Sequence, residues 1–139
     1  MNRPHSETLS ILARSGGEAL KAFGETLLPH LGDVDVQKSQ TGLVMLPMRD
    51  TAQGTSFHLG EVLVSEAQIK QGEILGYGMR KGRDLEAAMA MALIDLALQA
   101  GIATSDCTSF VDTQHRQQDA ADRATLCKVE ATRVNMETF

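Results

Sequence analysis

The chain is poor in the residues that many specialised functions need. It has 139 residues, with no tryptophan, one tyrosine and four phenylalanines. Single-stranded nucleic acid would therefore find few aromatic rings on which its bases could stack. The formal net charge is −5, whereas nucleic-acid-binding proteins usually carry a basic surface. We therefore predict that nucleic acid is not a partner.

Cysteines and long apolar runs are also scarce. Two cysteines, Cys107 and Cys127, are too few for a disulfide framework, and no CxxC or HExxH spacing predicts a metal site. The longest unbroken apolar run, Ala87 to Ile94, is far shorter than the roughly 20 residues that span a bilayer. The N-terminal sequence MNRPHSETLS lacks the apolar core of a signal peptide. We predict a cytoplasmic protein with reduced thiols, no metal and no membrane segment.

The first part of the chain has the pattern of two helices. Residues Met1 to His5 are expected to form a frayed tail, and Ser6 can cap a short first helix. Ser15 and Glu18 have the separation of a capping box, which predicts that a second helix begins at Ser15. Pro29 and Gly32 are expected to end that helix.

The middle of the chain changes to the shorter period of strands. Thr41-Gly42 is a turn signal, Asp50 to Gly54 is typical of a hairpin loop, and Gly60 indicates a bulge. The predicted strands are Val34–Gln37, Leu43–Met48, Phe57–Val64 and Ile74–Met79. Short links between consecutive strands favour antiparallel pairing. The prediction is a single α+β domain over residues 1–139, with a mainly antiparallel sheet of four to five strands.

A long apolar helix follows the last predicted strand. Asp84 is a suitable N-cap and Gly101 a suitable stop for this helix, which is apolar nearly all round. Such a helix must be covered on every face, so we expect it to pack on the sheet and to be covered partly by a partner. Beyond it, Asp106 to Ser109 is predicted as a connector and Val111 to Leu126 as a polar helix. Residues Val129 to Phe139 are expected to form a strand or an extended arm.

The turn from Gly76 to Asp84, before this helix, is the candidate binding site, and its glycines Gly76, Gly78 and Gly82 are interpreted as letting backbone amides approach a ligand. Arg80, Lys81, Gly82 and Arg83 combine positive charge with a glycine that lets a ligand approach the backbone, and helix N-termini favour anions. The pattern is neither a P-loop nor a clean GxGxxG. It predicts a phosphate contact, and the alternative is a tight turn with solvated basic side chains.

Two carboxylates fall in apolar segments. Glu61 lies in a predicted strand and Asp95 in the apolar helix, and a buried carboxylate needs a partner or a shifted pKa. Either residue is a candidate catalytic acid, and the alternative is a salt bridge to Arg49, Arg83 or Arg133. No complete catalytic constellation emerges, so the catalytic residues stay unassigned and an accessory subunit is favoured over a self-sufficient enzyme.

An ordered set of short segments resembles the PhnG family, the G subunits of the bacterial carbon–phosphorus (C–P) lyase core complex. The set extends over nearly the whole chain in the family's order and spacing. Its segments are Thr41-Gly42-Leu43-Val44, Phe57 to Val64, Gly76-Tyr77, Gly82-Arg83-Asp84, Ala92-Leu93-Ile94-Asp95 and Glu130 to Asn135.

The resemblance implies a subunit of phosphonate metabolism that acts with H, I and J subunits, of which the I-type is the nearest expected partner. It implies that G, H, I and L subunits form a ribose 1-phosphonate 5-triphosphate from MgATP and a phosphonate, releasing adenine. MgATP is then a substrate of the complex, and no cofactor is expected on this chain alone. The alternative is a stand-alone phosphate- or nucleotide-binding α+β domain. Without its companions, the chain is expected to self-associate through exposed apolar surface.

Overall fold

The computed structural model describes residues 4–49 and 56–137, and side-chain surroundings over 4–44 and 60–131. Over these residues the chain forms four helices and three strands, which confirms the α+β class. The elements are α1 His5–Arg14, α2 Gly17–Leu31, β1 Asp35–Arg49, β2 Ser56–Gln71, β3 Ile74–Lys81, α3 Leu85–Ala100 and α4 Thr104–Glu137.

The sheet is antiparallel, as predicted, with the strand order β1-β2-β3. The expected count of four to five strands is not matched among the described residues. The strands predicted at Val34–Gln37 and Leu43–Met48 form the single strand β1. Thr41 and Gly42 pair with Ser65 and Val64 of β2 instead of turning. The long partner strand β2, of 16 residues, supplies hydrogen bonds across this position, and these outweigh the local turn preference of a Thr-Gly pair.

The β1–β2 pair extends beyond the third strand as a two-stranded ribbon. β3 pairs with β2 only from Val64 to Gln71, so the earlier part of β2 pairs with β1 alone. The predicted bulge is confirmed, because the register changes between the pairs Leu46–Gly60 and Pro47–His58. The predicted loop from Asp50 to Gly54 lies outside the described residues.

The first helix begins earlier than expected. α1 begins at His5 with Pro4 at its N-cap, so the predictions of a frayed His5 and of a Ser6 cap are wrong. Proline suits a helix entrance because it has no N–H that would need a partner there.

Ser15 ends α1 rather than beginning α2. Its hydroxyl donates to the carbonyl of Ile11 at 2.7 Å, and α2 begins after an N-cap at Gly16 with no side-chain capping bond. The predicted capping box with Glu18 is therefore wrong, because the Ser15 side chain is used on its N-terminal side. Gly32 ends α2 as predicted, with a φ of 72°, but Pro29 lies within the last turns of α2, so the prediction that Pro29 helps to end the helix is wrong.

α3 is the central helix of the fold. Its predicted caps are confirmed, since Asp84 accepts a hydrogen bond from the Ala87 amide at 3.1 Å and Gly101 is left-handed with a φ of 73°. The buried residues run almost without a break from Ala87 to Ala97. β3, α2, β2, α4, α1 and β1 all contact this helix. Most of the apolar surface of α3 is thus covered by the chain itself, whereas Leu85 near its start is 38% exposed.

Two glycines bring α3 close to the sheet. Gly76 and Gly78 are buried on β3, and an added Cβ would overlap the carbonyl of Ala92 at the first position and that of Ala88 at the second. The sequence pattern was interpreted as room for a ligand to reach the backbone. In the structure, α3 fills that room.

α4 is a single helix of 34 residues, about 51 Å long. It replaces the predicted connector at 106–109 and the predicted C-terminal strand or arm, so both predictions are wrong. Its first turns are anchored by the buried Cys107 and Val111 and by Phe110, which stacks on Phe23 of α2 with ring centroids 4.6 Å apart. Residues 120–131 are all exposed. Among the described helices, none combines the length and hydropathy that a membrane span requires.

Candidate functional site

Arg80, the first residue of the predicted site, closes the carboxyl end of α1. One terminal nitrogen, Nη1, donates to the carbonyls of Leu12 at 2.8 Å and Ala13 at 3.2 Å. Carbonyls in the last turn of a helix lack intrahelical partners and favour a cation. Desolvation lowers the pKa of Arg80, and the nearby charge of Asp84 partly opposes that shift. Arg80 is therefore a half-buried cation with a structural role.

The backbone of the turn is engaged within the fold. Gly82, with a φ of 91°, donates from its N–H to the Leu63 carbonyl at 2.8 Å. Its carbonyl accepts from the hydroxyl of Ser65 at 2.7 Å, and that hydroxyl accepts from the Asp84 amide at 2.8 Å. Ser65 is fully buried and was not among the predicted site residues. Its signal in the sequence, a serine within an apolar strand, does not reveal a partner 17 residues away.

Asp84 occupies the N-terminus of α3. Its carboxylate accepts from the Ala87 amide and pairs with Lys21 of α2, whose ammonium nitrogen lies 3.1 Å away. The hydrogen bond from Ala87, followed by that from Lys21, lowers the pKa of Asp84. An acidic side chain thus already holds the position where the sequence predicted a bound anion. The positive charge that remains available in the turn lies on side chains rather than on the backbone.

Those side chains border a cleft of about 610 Å³ between the end of α1, the end of β3 and the start of the ribbon. Arg14, Arg80 and Lys81 lie around it. Arg14 is paired with Asp122 of α4, 3.0 Å away. Within residues 4–44 and 60–131, neither Arg80, Lys81 nor Arg83 forms an ion pair. The phosphate contact at Arg80–Arg83 stays a prediction.

Asp95 is 1% exposed and has three hydrogen-bond donors around it. His5 Nε2 lies 2.7 Å from one carboxylate oxygen, and the Tyr77 amide and Gln99 Nε2 donate to the other at 2.9 and 3.0 Å. The predicted burial is confirmed, but Arg83 is not the partner, and the side chains of Arg49 and Arg133 lie outside the described ones. Glu61 is exposed, so its predicted burial is wrong.

The Asp95 cluster fastens the outer edge of the sheet. On the side of β3 that faces away from β2, the Tyr77 amide donates to Asp95. On the same side, the Leu75 carbonyl accepts a hydrogen bond from Gln99 at 2.8 Å. His5 adds the start of α1 to the same carboxylate. Sequence reasoning missed His5 because it lies 90 residues from Asp95. In the described part of the chain, no group of three or more His, Cys, Asp or Glu side chains could hold a metal.

Comparison with known proteins places this fold in a family. Residues 3–139 match the family described as "Phosphonate metabolism protein PhnG". The chain belongs to this family. The resemblance seen in the short ordered segments is thereby confirmed over nearly the full length.

Two relatives show how far the similarity extends. The chain is 31% identical over 135 residues to the "Alpha-D-ribose 1-methylphosphonate 5-triphosphate synthase subunit PhnG" of Rhizobium meliloti (strain 1021), covering 96% of this chain and 86% of the relative. It is 30% identical over 112 residues to a candidate C-P lyase subunit, protein HtxH of Stutzerimonas stutzeri. That match covers 71% of this chain but 30% of the relative, so it concerns one part of a longer protein.

Proposed function

We propose that this PhnG-family chain is a subunit of a phosphonate C–P lyase system. The observation that carries the proposal is the similarity to a synthase subunit over 96% of this chain and 86% of the relative. The family match over residues 3–139 includes every described element. The second relative, whose name also refers to C-P lyase, supports the same system.

The proposed reaction forms a compound of the class named in the description of the Rhizobium meliloti relative. With H, I and L-type subunits, the chain takes part in forming a ribose 1-phosphonate 5-triphosphate from MgATP and a phosphonate, with release of adenine. Its own role is accessory. Asp95, a buried carboxylate that sequence reasoning considered as a catalytic acid, is engaged by three donors that hold α1, β3 and α3 together.

Companion subunits need a surface on this chain. The I-type subunit is the first candidate, and the H- and J-types follow. Most of α3 is covered internally, and the most exposed large apolar side chains lie on other elements. The outer half of α4, residues 120–131, exposes Leu126 at 62% and Val129 at 51%. The ribbon exposes Leu43 at 62%. Apolar residues grouped on protruding elements are typical of assembly surfaces. We assign companion binding to the outer half of α4, with the ribbon as a second contact.

A co-purification experiment tests this assignment. Leu126→Asp places a charge in the apolar surface and should abolish co-purification with an I-type subunit. Thr125→Asp adds the same charge at the neighbouring exposed position of the same helix and should leave co-purification intact. Adenine release by the assembled subunits should fall with the first variant only. The proposal is contradicted if the Leu126→Asp variant still co-purifies with the I-type subunit and if adenine release is unchanged when this chain is left out.

A second candidate function is supported by the basic turn. Arg80, Lys81 and Arg83 lack carboxylate partners within the described side chains, so these side chains can contact a phosphate, either in the complex or as a stand-alone phosphate-binding domain. The predicted contact from Gly82 would need its amide to leave the Leu63 carbonyl. Calorimetry with ATP and with inorganic triphosphate tests the stand-alone form. The absence of heat at millimolar ligand would exclude it. Arg83→Glu in the assembled complex should lower activity and spare assembly if the turn contacts substrate.

A further inference from the structure

The cleft beside Arg80 has an apolar floor. Val44 and Val62 pair across β1 and β2, and Val64 pairs with Lys81 across β2 and β3. These valines and Met79 line the cleft below Arg80 and Lys81. Val44 remains 41% exposed, so part of the floor is apolar surface in contact with water.

The charge above this floor is of one sign. Arg80 donates to two carbonyls, which satisfy hydrogen-bonding groups but supply only partial charge, and Lys81 is exposed. Arg14 is held by Asp122 at the edge of the cleft. Two cations therefore face the cleft without a carboxylate in ion-pair contact among the described side chains. An anion in this position would gain charge-assisted hydrogen bonds from both.

The size of the cleft is that of a small-molecule site. Ligand pockets typically enclose about 300–1,000 Å³ and are mostly apolar with a few polar groups that orient the ligand. The cleft has this composition, because valines and Met79 form the apolar part of its lining and the side chains of Arg80 and Lys81 are its polar groups. A ligand that fits it must carry both an apolar body and an anionic head.

We propose that this cleft binds a small organic oxyanion, with its apolar body on Val44, Val62, Val64 and Met79 and its charged head on Lys81 and Arg80. Because two cations face the head, a dianionic phosphonate or phosphate ester is bound more tightly than a carboxylate on the same body. The proposal uses Arg80 and Lys81 but not Arg83, and it concerns the isolated chain. Its outcome is therefore independent of whether companion subunits assemble.

The test uses methionine-methyl NMR of the isolated full-length chain with phenylphosphonate, benzoate and inorganic phosphate as probes. Met79 reports on the cleft, whereas Met91, 2% exposed in the core, is the internal control. Phenylphosphonate should shift the Met79 methyl signal and leave that of Met91 in place. Inorganic phosphate should bind at least tenfold more weakly because it has no apolar body to place on the valines. Benzoate should bind severalfold more weakly because it carries a single charge.

Matched variants of two lysines decide the position of the head. Lys81→Gln removes one cation from an exposed position of the cleft and should weaken phenylphosphonate binding about tenfold. Lys70→Gln removes the same charge from an exposed position of β2 that does not line the cleft, and it should leave the affinity unchanged. The proposal is overturned if Met79 does not shift at millimolar probe or if the Lys81 variant binds like the wild type. Equal affinity for all three probes would also overturn it.

Discussion

At the scale of single residues, Gly78 sets the separation between β3 and α3. A side chain at this position would overlap the Ala88 carbonyl and crowd the Ala92 amide. Gly78→Ala should lower the free energy of unfolding by roughly 3 kcal/mol, as severe overpacking does. Gly42→Ala is the matched control, because an added Cβ there meets no atom within 4 Å. Urea unfolding of both variants measures the difference, and equal stability would contradict the packing described.

Gly76 and Gly78, which both lie against α3, show where sequence reasoning reached its limit. Glycine near a basic turn predicts that something approaches the backbone closely, and that part was confirmed. The approaching group was taken to be a ligand, but it is α3. A single sequence carries no signal that separates the two cases, since both need the absence of Cβ at the same strand positions. The caps at Asp84 and Gly101 were predictable because each depends on residues within a few positions.

Asp84 makes the stability of the chain depend on pH. Its pKa is lower in the folded state because the Ala87 amide and Lys21 stabilise the carboxylate. A depressed folded pKa contributes stability above the unfolded value, near 3.9, and that contribution is lost as the pH falls through the folded value. Asp84→Asn keeps the capping oxygen but removes the charge. At neutral pH the variant should be less stable by at most about 1 kcal/mol, because water screens this half-exposed pair.

The difference between wild type and Asp84→Asn should therefore shrink as the pH falls below about 4. Added salt at neutral pH should shrink it as well, since the Lys21 pair is accessible to ions. Thermal unfolding at several pH values provides the measurement. A difference that stays constant from neutral to acidic pH would show that the charge of Asp84 does not stabilise the fold.

At the scale of elements, α4 passes from the core into solvent, and its two cysteines report the two environments. Cys107 is buried, and burial raises its pKa to about 11, whereas Cys127 is exposed. The thiolate is the reactive form. A thiol reagent at neutral pH, applied to the chain at a dilution where it is monomeric, should therefore modify one cysteine per chain at once, at Cys127, and Cys107 only on unfolding. Mass spectrometry of the modified peptides identifies the site, and fast reaction at Cys107 would contradict the anchoring of α4.

Two of the mispredicted element boundaries share one cause, namely contacts distant in sequence. Thr41-Gly42 is a turn signal in isolation, but pairing with Ser65 and Val64 keeps it within β1. The segment Asp106 to Ser109 looked like a connector because it is polar, yet Cys107 is fully buried there. Local patterns predicted the fold class and the central helix well, because these depend on hydrophobic periodicity. They could not predict which strands merge or how far α4 continues.

At the scale of the whole molecule, α1 is held by three separate parts of the chain. His5 reaches Asp95 of α3, and the carbonyls at the other end of α1 are bound by Arg80 of β3. Gln118 of α4 donates to the Ile11 carbonyl at 2.9 Å. These bonds connect the first helix with the sheet, the central helix and the last helix. Exposed apolar side chains remain on several elements, and the ribbon and the outer half of α4 carry Leu43, Leu126 and Val129, which are each more than half exposed.

Exposed apolar residues on α4 predict that the chain self-associates when it is purified alone. Leu126 and Val129 are both more than half exposed. Association is favoured by about 25 cal/mol for each Å² of apolar surface that it removes from water. Light scattering of the isolated chain should show a mass that rises with concentration. Leu126→Asp should restore a monomer, and Thr125→Asp should behave like the wild type.

A companion subunit and a second copy would use the same surface of α4, so the two associations should exclude each other. Adding an I-type subunit should convert the self-associated chain into a mixed complex of defined mass. Protection of Cys127 from the thiol reagent should accompany both forms, whereas Cys107 should be unreactive throughout. A monomer at every concentration would contradict self-association. Full reactivity of Cys127 in the mixed complex would place the companion elsewhere, with the ribbon as the next surface to examine by Leu43→Asp.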